Sequence, residues 1–427
     1  MTISAHSFNI ALNAEGFRDS RVPEGVVVDP PPATGARNRQ LHPFPADDPF
    51  NMPIGVNAWY APTTDPATGN IRMYGCQINI RGHSHPIYLP TPGIDPIHRI
   101  INSRHGNVES YIPEENRIEP GAYLEEILQL SAHPDPVVDG FSNDRHLHIM
   151  VGNDLVETFV FVREGGNGSG IARADARRIV RNRLDRHSHR YGALANRAGT
   201  RAWGGSAVAG LIRRHEVVTV NPHIPHALAV QLRPDVGSVG GHQLGKNGQG
   251  DPSSPLFNVR QMFPASEIDG SGYPNSNGSC RMGMRFALDP TICTDAFIEA
   301  NAPLLDRNTL GRPAGSKNIW QIALAKCLRD YGMIVVDQGS PNTFQCEPSY
   351  EDPMPDELVF ALSGFTGPGQ WDRIGDWMMT YMRRIAGGGS TPIHNPGESQ
   401  WDTWRNAGHG WGGGAPRVPH SPPLASL

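Results

Sequence analysis

LHIMVGNDLVETFVFV, residues 147–162, is the stretch of sequence that best indicates the fold. Two apolar, β-branched runs at 147–151 and 155–162 flank the tripeptide Gly152-Asn153-Asp154. A short Gly/Asn/Asp linker between such runs is typical of a β-hairpin, whose two strands pair antiparallel. We therefore predict an antiparallel sheet in the middle of the chain.

Other segments on both sides of this hairpin carry strand or helix patterns. Strands are predicted at 72–81, 284–288 and 333–336, and a second hairpin at 216–220 and 226–232. Apolar residues spaced three and four apart predict helices at 317–331 and 372–385 and, with a weaker pattern, at 122–131 and 171–184. Because strands outnumber helices, we predict a mainly β fold with an antiparallel β-sandwich or jelly-roll-like core and a few peripheral helices.

Glycine and proline set the predicted domain boundaries. They make up 48 and 39 of the 427 residues, and many of them lie near the two ends of the chain. Proline-rich backbone is extended before it binds anything, which suits it to lie across another subunit. We predict an extended N-terminal arm at 1–46, a β-rich core at 47–350, a helical appendage at 351–386 and a Gly/Pro-rich arm at 387–427. Assembly into a homo-oligomer through these arms is the expected consequence.

Composition excludes several partners and cofactors. The 37 Lys and Arg against 42 Asp and Glu give a net charge of −5 and no basic footprint for nucleic acid. The apolar runs are too short to span a membrane, and residues 1–16 show no signal-peptide pattern. No nucleotide-binding or zincin motif is found, so no cofactor is predicted. The five cysteines form no zinc-finger pattern, and either reduced thiols or a Cys280–Cys293 disulfide fits the spacing.

Histidine occurs 18 times, and six of these residues form three H-x-H pairs: His83/His85, His146/His148 and His187/His189. Alternate residues of a strand point to the same face, so His146 and His148 could share a metal ion, as in cupin-type jelly rolls. The glutamate that usually follows such a pair is missing, although Glu157 and His226 could complete a set if the fold brings them near. Two imidazoles on a solvated strand face are the alternative, which the sequence favours.

Ionisable residues at strand ends indicate general acid–base chemistry. Asp144 and His146 flank Arg145 at the entrance of the strand at 147–151, and Asp337 follows the strand at 333–336. Glu216 and His226 lie on the two sides of the second predicted hairpin. We predict that at least three of the five acid–base residues line one concave patch, with Glu216 or Asp337 paired to a histidine. Local ion pairs and turns are the alternative for each of them.

Four segments, in order, resemble a family of mostly uncharacterised, secreted microbial proteins. They are DPFNMP at 48–53, DRH at 144–146, the block SAVAGLIRRHEV…IPHALAVQL at 206–232, and MGMRFALD…ALAKCLRDYGMIVVDQGS at 282–340. The resemblance spans about residues 47 to 350. The chain departs from the family pattern at Phe50, where tryptophan is usual, and at Gln338, where asparagine is usual.

The resemblance implies a β-rich, extracellular, carbohydrate-active protein. It highlights Asp144, His146, Glu216, His226 and Asp337 as acid–base positions, and it implies that the substrate is bound by Arg145, Arg285 and Tyr331. The function predicted first is a glycoside hydrolase or lyase acting on a polysaccharide. A non-catalytic subunit that self-assembles through its arms is the alternative, and a cupin-like metalloenzyme is the second alternative.

Overall fold

The computed structural model describes residues 38–74, 76–79, 85, 87–89, 97–101, 123–128, 146–159, 162–163, 173–175, 178–189, 198–232, 262–266, 280–339, 342–347, 361–362, 376–386 and 398–418. Its strands are β1 (Trp59–Tyr60), β2 (Gln77–Asn79), β3 (Ile87–Tyr88), β4 (Ile97–Ile101), β5 (Tyr123–Leu128), β6 (Leu147–Val151), β7 (Asp154–Phe159), β8 (Val162–Arg163), β9 (Arg173–Asp175), β10 (Arg178–Arg183), β11 (Leu228–Leu232), β12 (Arg285–Leu288), β13 (Met333–Gln338), β14 (Thr343–Gln345) and β15 (Met382–Ala386). Its helices are α1 (Pro66–Tyr74), α2 (Arg214–Val217), α3 (Asp295–Asn301), α4 (Ile319–Asp330), α5 (Asp376–Thr380) and α6 (Glu398–Asn406).

The strands form three sheets within the described residues. The largest has the order β1-β15-β12-β13-β11-β14-β2, and two four-stranded sheets have the orders β10-β7-β6-β3 and β5-β4-β9-β8. The predicted mainly β fold is confirmed at this level. The expectation of purely antiparallel pairing was wrong, because the pairs β11–β13, β14–β2, β3–β6 and β4–β9 are parallel.

The main core lies between the seven-stranded sheet and α4. Strand β12 is buried along its whole length, and Trp320, Leu324 and Leu328 of α4 belong to the same buried cluster as Phe286 of β12. The Asn318 side chain caps α4 by accepting a hydrogen bond from a backbone N–H in its first turn. The predicted helix at 317–331 and the strands at 284–288 and 333–336 are thereby confirmed.

Gly332 makes the turn from α4 into β13. Its φ of +75° lies in the left-handed region, and a Cβ atom there would approach the Phe286 carbonyl oxygen to 2.3 Å. Only glycine meets both conditions without strain. The helix therefore ends here, and β13 begins at once in the centre of the sheet.

Several local predictions were wrong, mostly where apolar spacing was short or mixed. Of the strand predicted at 72–81, residues 77–79 form β2, but 72–74 belong to helix α1. Of the hairpin predicted at 216–220 and 226–232, the second strand is confirmed as β11, but residues 216–217 belong to helix α2. The two weak helix predictions at 122–131 and 171–184 contain strands β5, β9 and β10 instead. In the predicted helix at 372–385, α5 occupies one turn and the chain then enters β15.

The C-terminal region contributes to the core of its own chain. Strand β15 pairs with β1 and β12, so the predicted appendage at 351–386 includes a strand of the main sheet. In the predicted arm at 387–427, Trp401 and Trp411 are buried with Met52 and Ile54. The backbone N–H of Trp411 donates to the backbone carbonyl of Pro53 at 2.7 Å. Residues 398–418 are thus part of the folded body.

None of the helices in the described residues is long and apolar enough to cross a membrane.

Candidate functional site

The four-stranded sheet β10-β7-β6-β3 collects histidines on one face. Strand β3 runs parallel to β6 with Ile87 opposite His148, and β7 runs antiparallel to β6 with Glu157 opposite His148. Directly opposite residues share a face, and so do residues two apart on one strand. The register therefore places His85, His146, His148 and Glu157 on the same side of the sheet.

The three imidazoles form a compact buried cluster. One ring nitrogen from each of His85, His146 and His148 lies within 4.8 Å of the others. The ring centroids are 4.6 Å apart for His85 and His146 and 5.2 Å apart for His85 and His148. His85 and His148 are fully buried, and His146 is 6% exposed. The prediction that His146 and His148 share a face holds, but their face is buried rather than solvated.

Glu157 connects this cluster to the loop at 198–207. Its carboxylate accepts hydrogen bonds from the backbone N–H groups of Thr200 at 2.9 Å and Ala207 at 3.1 Å. It also accepts from the hydroxyls of Thr200 at 3.2 Å and of Ser206. Burial raises the pKa of Glu157, and these hydrogen bonds oppose the rise by stabilising the carboxylate. The loop thus covers the histidine face with a continuous set of polar contacts.

The same contacts orient His146. The Thr200 hydroxyl donates its one hydrogen to Glu157, so its oxygen can only accept from His146 Nδ1, which lies 3.4 Å away. With the proton on Nδ1, the lone pair of His146 is on Nε2. A carboxylate that acts through a bridging group to fix the tautomer of a histidine is the usual outer shell of a metal-binding imidazole.

Three imidazole nitrogens are a donor set that suits divalent zinc, copper, iron or nickel. Tetrahedral coordination at about 2.0–2.1 Å requires ligand nitrogens about 3.3 Å apart. The nitrogens lie within 4.8 Å of one another, so binding would draw them closer by rotation about their side-chain dihedrals. Three protein ligands leave a fourth position for water or substrate, as in catalytic zinc sites.

The predicted pair Glu216 and His226 is also brought together, at a second place. His226 Nε2 lies 3.1 and 3.2 Å from the two carboxylate oxygens, and its Nδ1 lies 3.0 Å from the Ala227 carbonyl oxygen. Both ring nitrogens face acceptors, which favours the imidazolium form. Burial lowers the pKa of His226, but the Glu216 charge and hydrogen bond outweigh it, so the pKa is raised overall. Both residues are more than nine-tenths buried.

The remaining predicted residues lie in different settings. Asp337 is 2.9 Å from the guanidinium of Arg201. Arg285 donates to the backbone carbonyls of Tyr331, Pro49 and Met52, and burial lowers its pKa to about 9. Arg285 therefore joins the segment at 49–52 to the end of α4, and Tyr331 contacts it through its backbone, with its side chain in the core cluster. Asp144 and Arg145 lie outside the described residues.

His85 is the member of the cluster that sequence reasoning did not connect to His146 and His148. Its H-x-H pattern was visible, but its position depends on a parallel pairing between strands about 60 residues apart. Thr200 and Ser206 carried no pattern at all. The five cysteines are buried, and each is a free thiol, so the reduced alternative holds rather than the Cys280–Cys293 disulfide.

Comparison with models of protein families, with curated proteins and with solved structures finds no match to this chain. The family resemblance described from the four sequence segments therefore stays a prediction. The candidate site has to be judged by its own geometry.

Proposed function

We propose that this protein is a metal-dependent enzyme whose ion is bound by His85, His146 and His148. The observation that supports the proposal is the cluster of three buried imidazoles with ligand nitrogens within 4.8 Å of one another. Three buried imidazole nitrogens that converge in this way match the donor set of a single divalent ion.

The donor set favours zinc or another divalent first-row ion with one open coordination position. Such an ion lowers the pKa of bound water and polarises a substrate oxygen, which serves hydrolytic and related chemistry. His146, held by Thr200 and Glu157, would keep its ring fixed while the ion exchanges water for substrate. The proposal corresponds to the second alternative predicted from the sequence, a cupin-like metalloenzyme.

A cupin-like jelly roll is the finer form of this proposal. In that arrangement, metal ligands come from neighbouring strands and share one face. The support is that His146 immediately precedes β6 and His148 lies within it. His85 lies two residues before β3, the strand next to β6. The large mixed sheet would then be the second layer of the core.

Cleavage of a glycan outside the cell is the second candidate function. The contact between Glu216 and His226, at 3.1 Å, is the observation that favours it, since a paired carboxyl and imidazole can act as acid and base. We place it second because both groups are buried. Glu216→Gln should abolish glycan cleavage if this candidate is correct, and assembly of the chain into a homo-oligomer is compatible with either function.

The deciding experiment measures metal bound by the purified full-length chain. The protein is stripped with a chelator, dialysed against Zn²⁺, and analysed by elemental mass spectrometry. His148→Ala and His146→Ala should each bind one zinc per chain fewer than the wild type. Cobalt loaded in place of zinc should show visible absorption bands that these two variants lack.

His409→Ala is the matched control, because His409 belongs to neither candidate metal cluster among the described residues. This variant should bind as much zinc as the wild type. Equal zinc binding by the wild type and His148→Ala, with both proteins folded by circular dichroism, would refute the metal centre.

A further inference from the structure

A second group of ligating side chains lies away from the histidine face. His42, His215 and Glu216 each place one ligand atom within 4.8 Å of the others. His42 is 5% exposed and Glu216 is 4% exposed, and the rings of His42 and His215 meet edge to face with centroids 5.4 Å apart. Two imidazoles and one carboxylate are a set that binds zinc in proteins.

The ligands come from two parts of the chain. His215 and Glu216 are adjacent on α2, whereas His42 lies in the segment 38–45 that precedes the first strand. This segment is already tied to the body by hydrogen bonds. Arg213 donates to the Gln40 carbonyl at 2.9 Å, and the Asn51 side chain donates to the carbonyls of Pro43 and Pro45 at 2.9 Å.

Glu216 has one carboxylate oxygen available for an ion. Its Oε2 accepts hydrogen bonds from the Arg213 backbone N–H at 2.9 Å and from His226 Nε2 at 3.2 Å. Within the described part of the chain, the buried Oε1 receives no hydrogen bond, although it lies 3.1 Å from the same His226 nitrogen. A cation bound at Oε1 would add a direct ligand bond to the ion-pair contact that this oxygen already makes with His226.

Two positively charged side chains near Glu216, Arg213 and His226, are each paired with a carboxylate. Arg213 immediately precedes α2, and its Nε lies 2.9 Å from Oε2 of the buried Glu347. His226 is paired with Glu216 itself. A divalent ion at Glu216 would face one carboxylate and two imidazoles. These ligands are contributed by segments about 170 residues apart in sequence, which is typical of an ion that fastens one segment to another.

We propose that His42, His215 and Glu216 bind a second divalent cation of the zinc class, which fastens the segment 38–45 to α2. This site is structural and is independent of the centre at His85, His146 and His148. Because the ligands lie on a short helix and on the segment before the first strand, loss of the ion should loosen that segment without unfolding the sheets.

Zinc counting separates the two sites. The wild-type chain should bind two zinc ions, His42→Gln one, His148→Ala one, and the double variant none, while His409→Ala keeps two. If His148→Ala loses an ion and His42→Gln does not, the second site is refuted and the first stands. If only His42→Gln loses an ion, the second site stands and the first is refuted.

Hydrogen–deuterium exchange tests whether the bound ion holds the segment 38–45 against α2. Zinc should slow exchange in the peptide covering residues 38–45 at least tenfold in the wild type and in His148→Ala. It should have no effect on this peptide in His42→Gln. His42 lies outside the helices and strands, and glutamine keeps a polar side chain there, so this variant should fold even if Glu216→Gln does not. Equal protection by zinc in the wild type and His42→Gln would overturn the proposal.

Discussion

Replacement of Thr200 by valine is the sharpest test of how the histidine face is organised. Valine keeps the approximate volume and the β-branching of threonine and replaces the hydroxyl with a methyl group. That hydroxyl accepts from His146 Nδ1 at 3.4 Å and donates to Glu157 at 3.2 Å. The substitution therefore takes one of four hydrogen bonds from Glu157 and removes the acceptor that fixes the His146 tautomer.

Loss of such an outer-shell partner typically weakens metal binding about 10–100-fold, or about 1.4–2.7 kcal/mol. The stability of the chelator-stripped protein should fall by about 1–3 kcal/mol, the cost of leaving a buried polar group unsatisfied. Zinc affinity is measured by competition with a chromophoric chelator on the full-length chain. Urea denaturation of the stripped protein gives the stability change separately.

Thr200→Ser is the matched control, because it keeps the hydroxyl and removes one methyl group. Its zinc affinity should lie within a few-fold of the wild-type value. Two results would refute the reasoning: unchanged affinity in Thr200→Val, or equally weakened affinity in Thr200→Ser. The second would show that packing of the methyl group, rather than the hydrogen bonds of the hydroxyl, positions the site.

Three further predictions concern stability and reactivity. Gly332→Ala should lower the free energy of unfolding by at least about 2 kcal/mol in urea, because it combines a φ of +75° with a Cβ 2.3 Å from the Phe286 carbonyl oxygen. Burial lowers the pKa of His187, but the Asp47 carboxylate outweighs burial, so the pKa is raised overall. The contact therefore stabilises the folded protein fully below the unfolded-state pKa of about 6.5. This stabilisation is lost as the pH rises through the folded-state pKa. The stability difference between wild type and His187→Asn should therefore shrink above about pH 6.5, and a difference that grows would contradict this assignment. The five buried thiols should react with a thiol reagent only after unfolding, because burial keeps them from solvent.

The sequence predicted those parts of the fold that depend on neighbouring residues. The hairpin of β6 and β7 follows from a turn tripeptide between two β-branched runs, and α4 follows from a regular apolar stripe with a glycine at its end. Strand β10 was missed because its sequence RIVRNR does not alternate polar and apolar residues and lies in an arginine-rich segment that also suited a solvated helix.

The candidate site depended on information that a local pattern does not contain. Periodicity shows that His146 and His148 share a face, but it does not show which strand lies beside them. The parallel pairing of β3 with β6 adds His85, and the loop at 198–207 adds Thr200. In the same way, Glu216 and His226 were predicted to meet across a hairpin, and they meet because α2 lies next to the chain that enters β11.

The face of the sheet that carries the histidines has an apolar half and a polar half. Ile87, Met150 and Leu155 lie on the same side of the sheet as His148 and Glu157, and these three belong to the main hydrophobic cluster. A continuation of apolar residues across this face would pack without any unsatisfied polar atoms, and replacing buried polar groups by hydrophobic ones is often neutral or stabilising. The chain instead places three imidazoles and a carboxylate there, at a cost in desolvation. Places where a sequence departs from the arrangement that best stabilises its fold are expected at functional sites, and a shared metal ion accounts for both the choice of imidazole and the supporting hydroxyl and carboxylate.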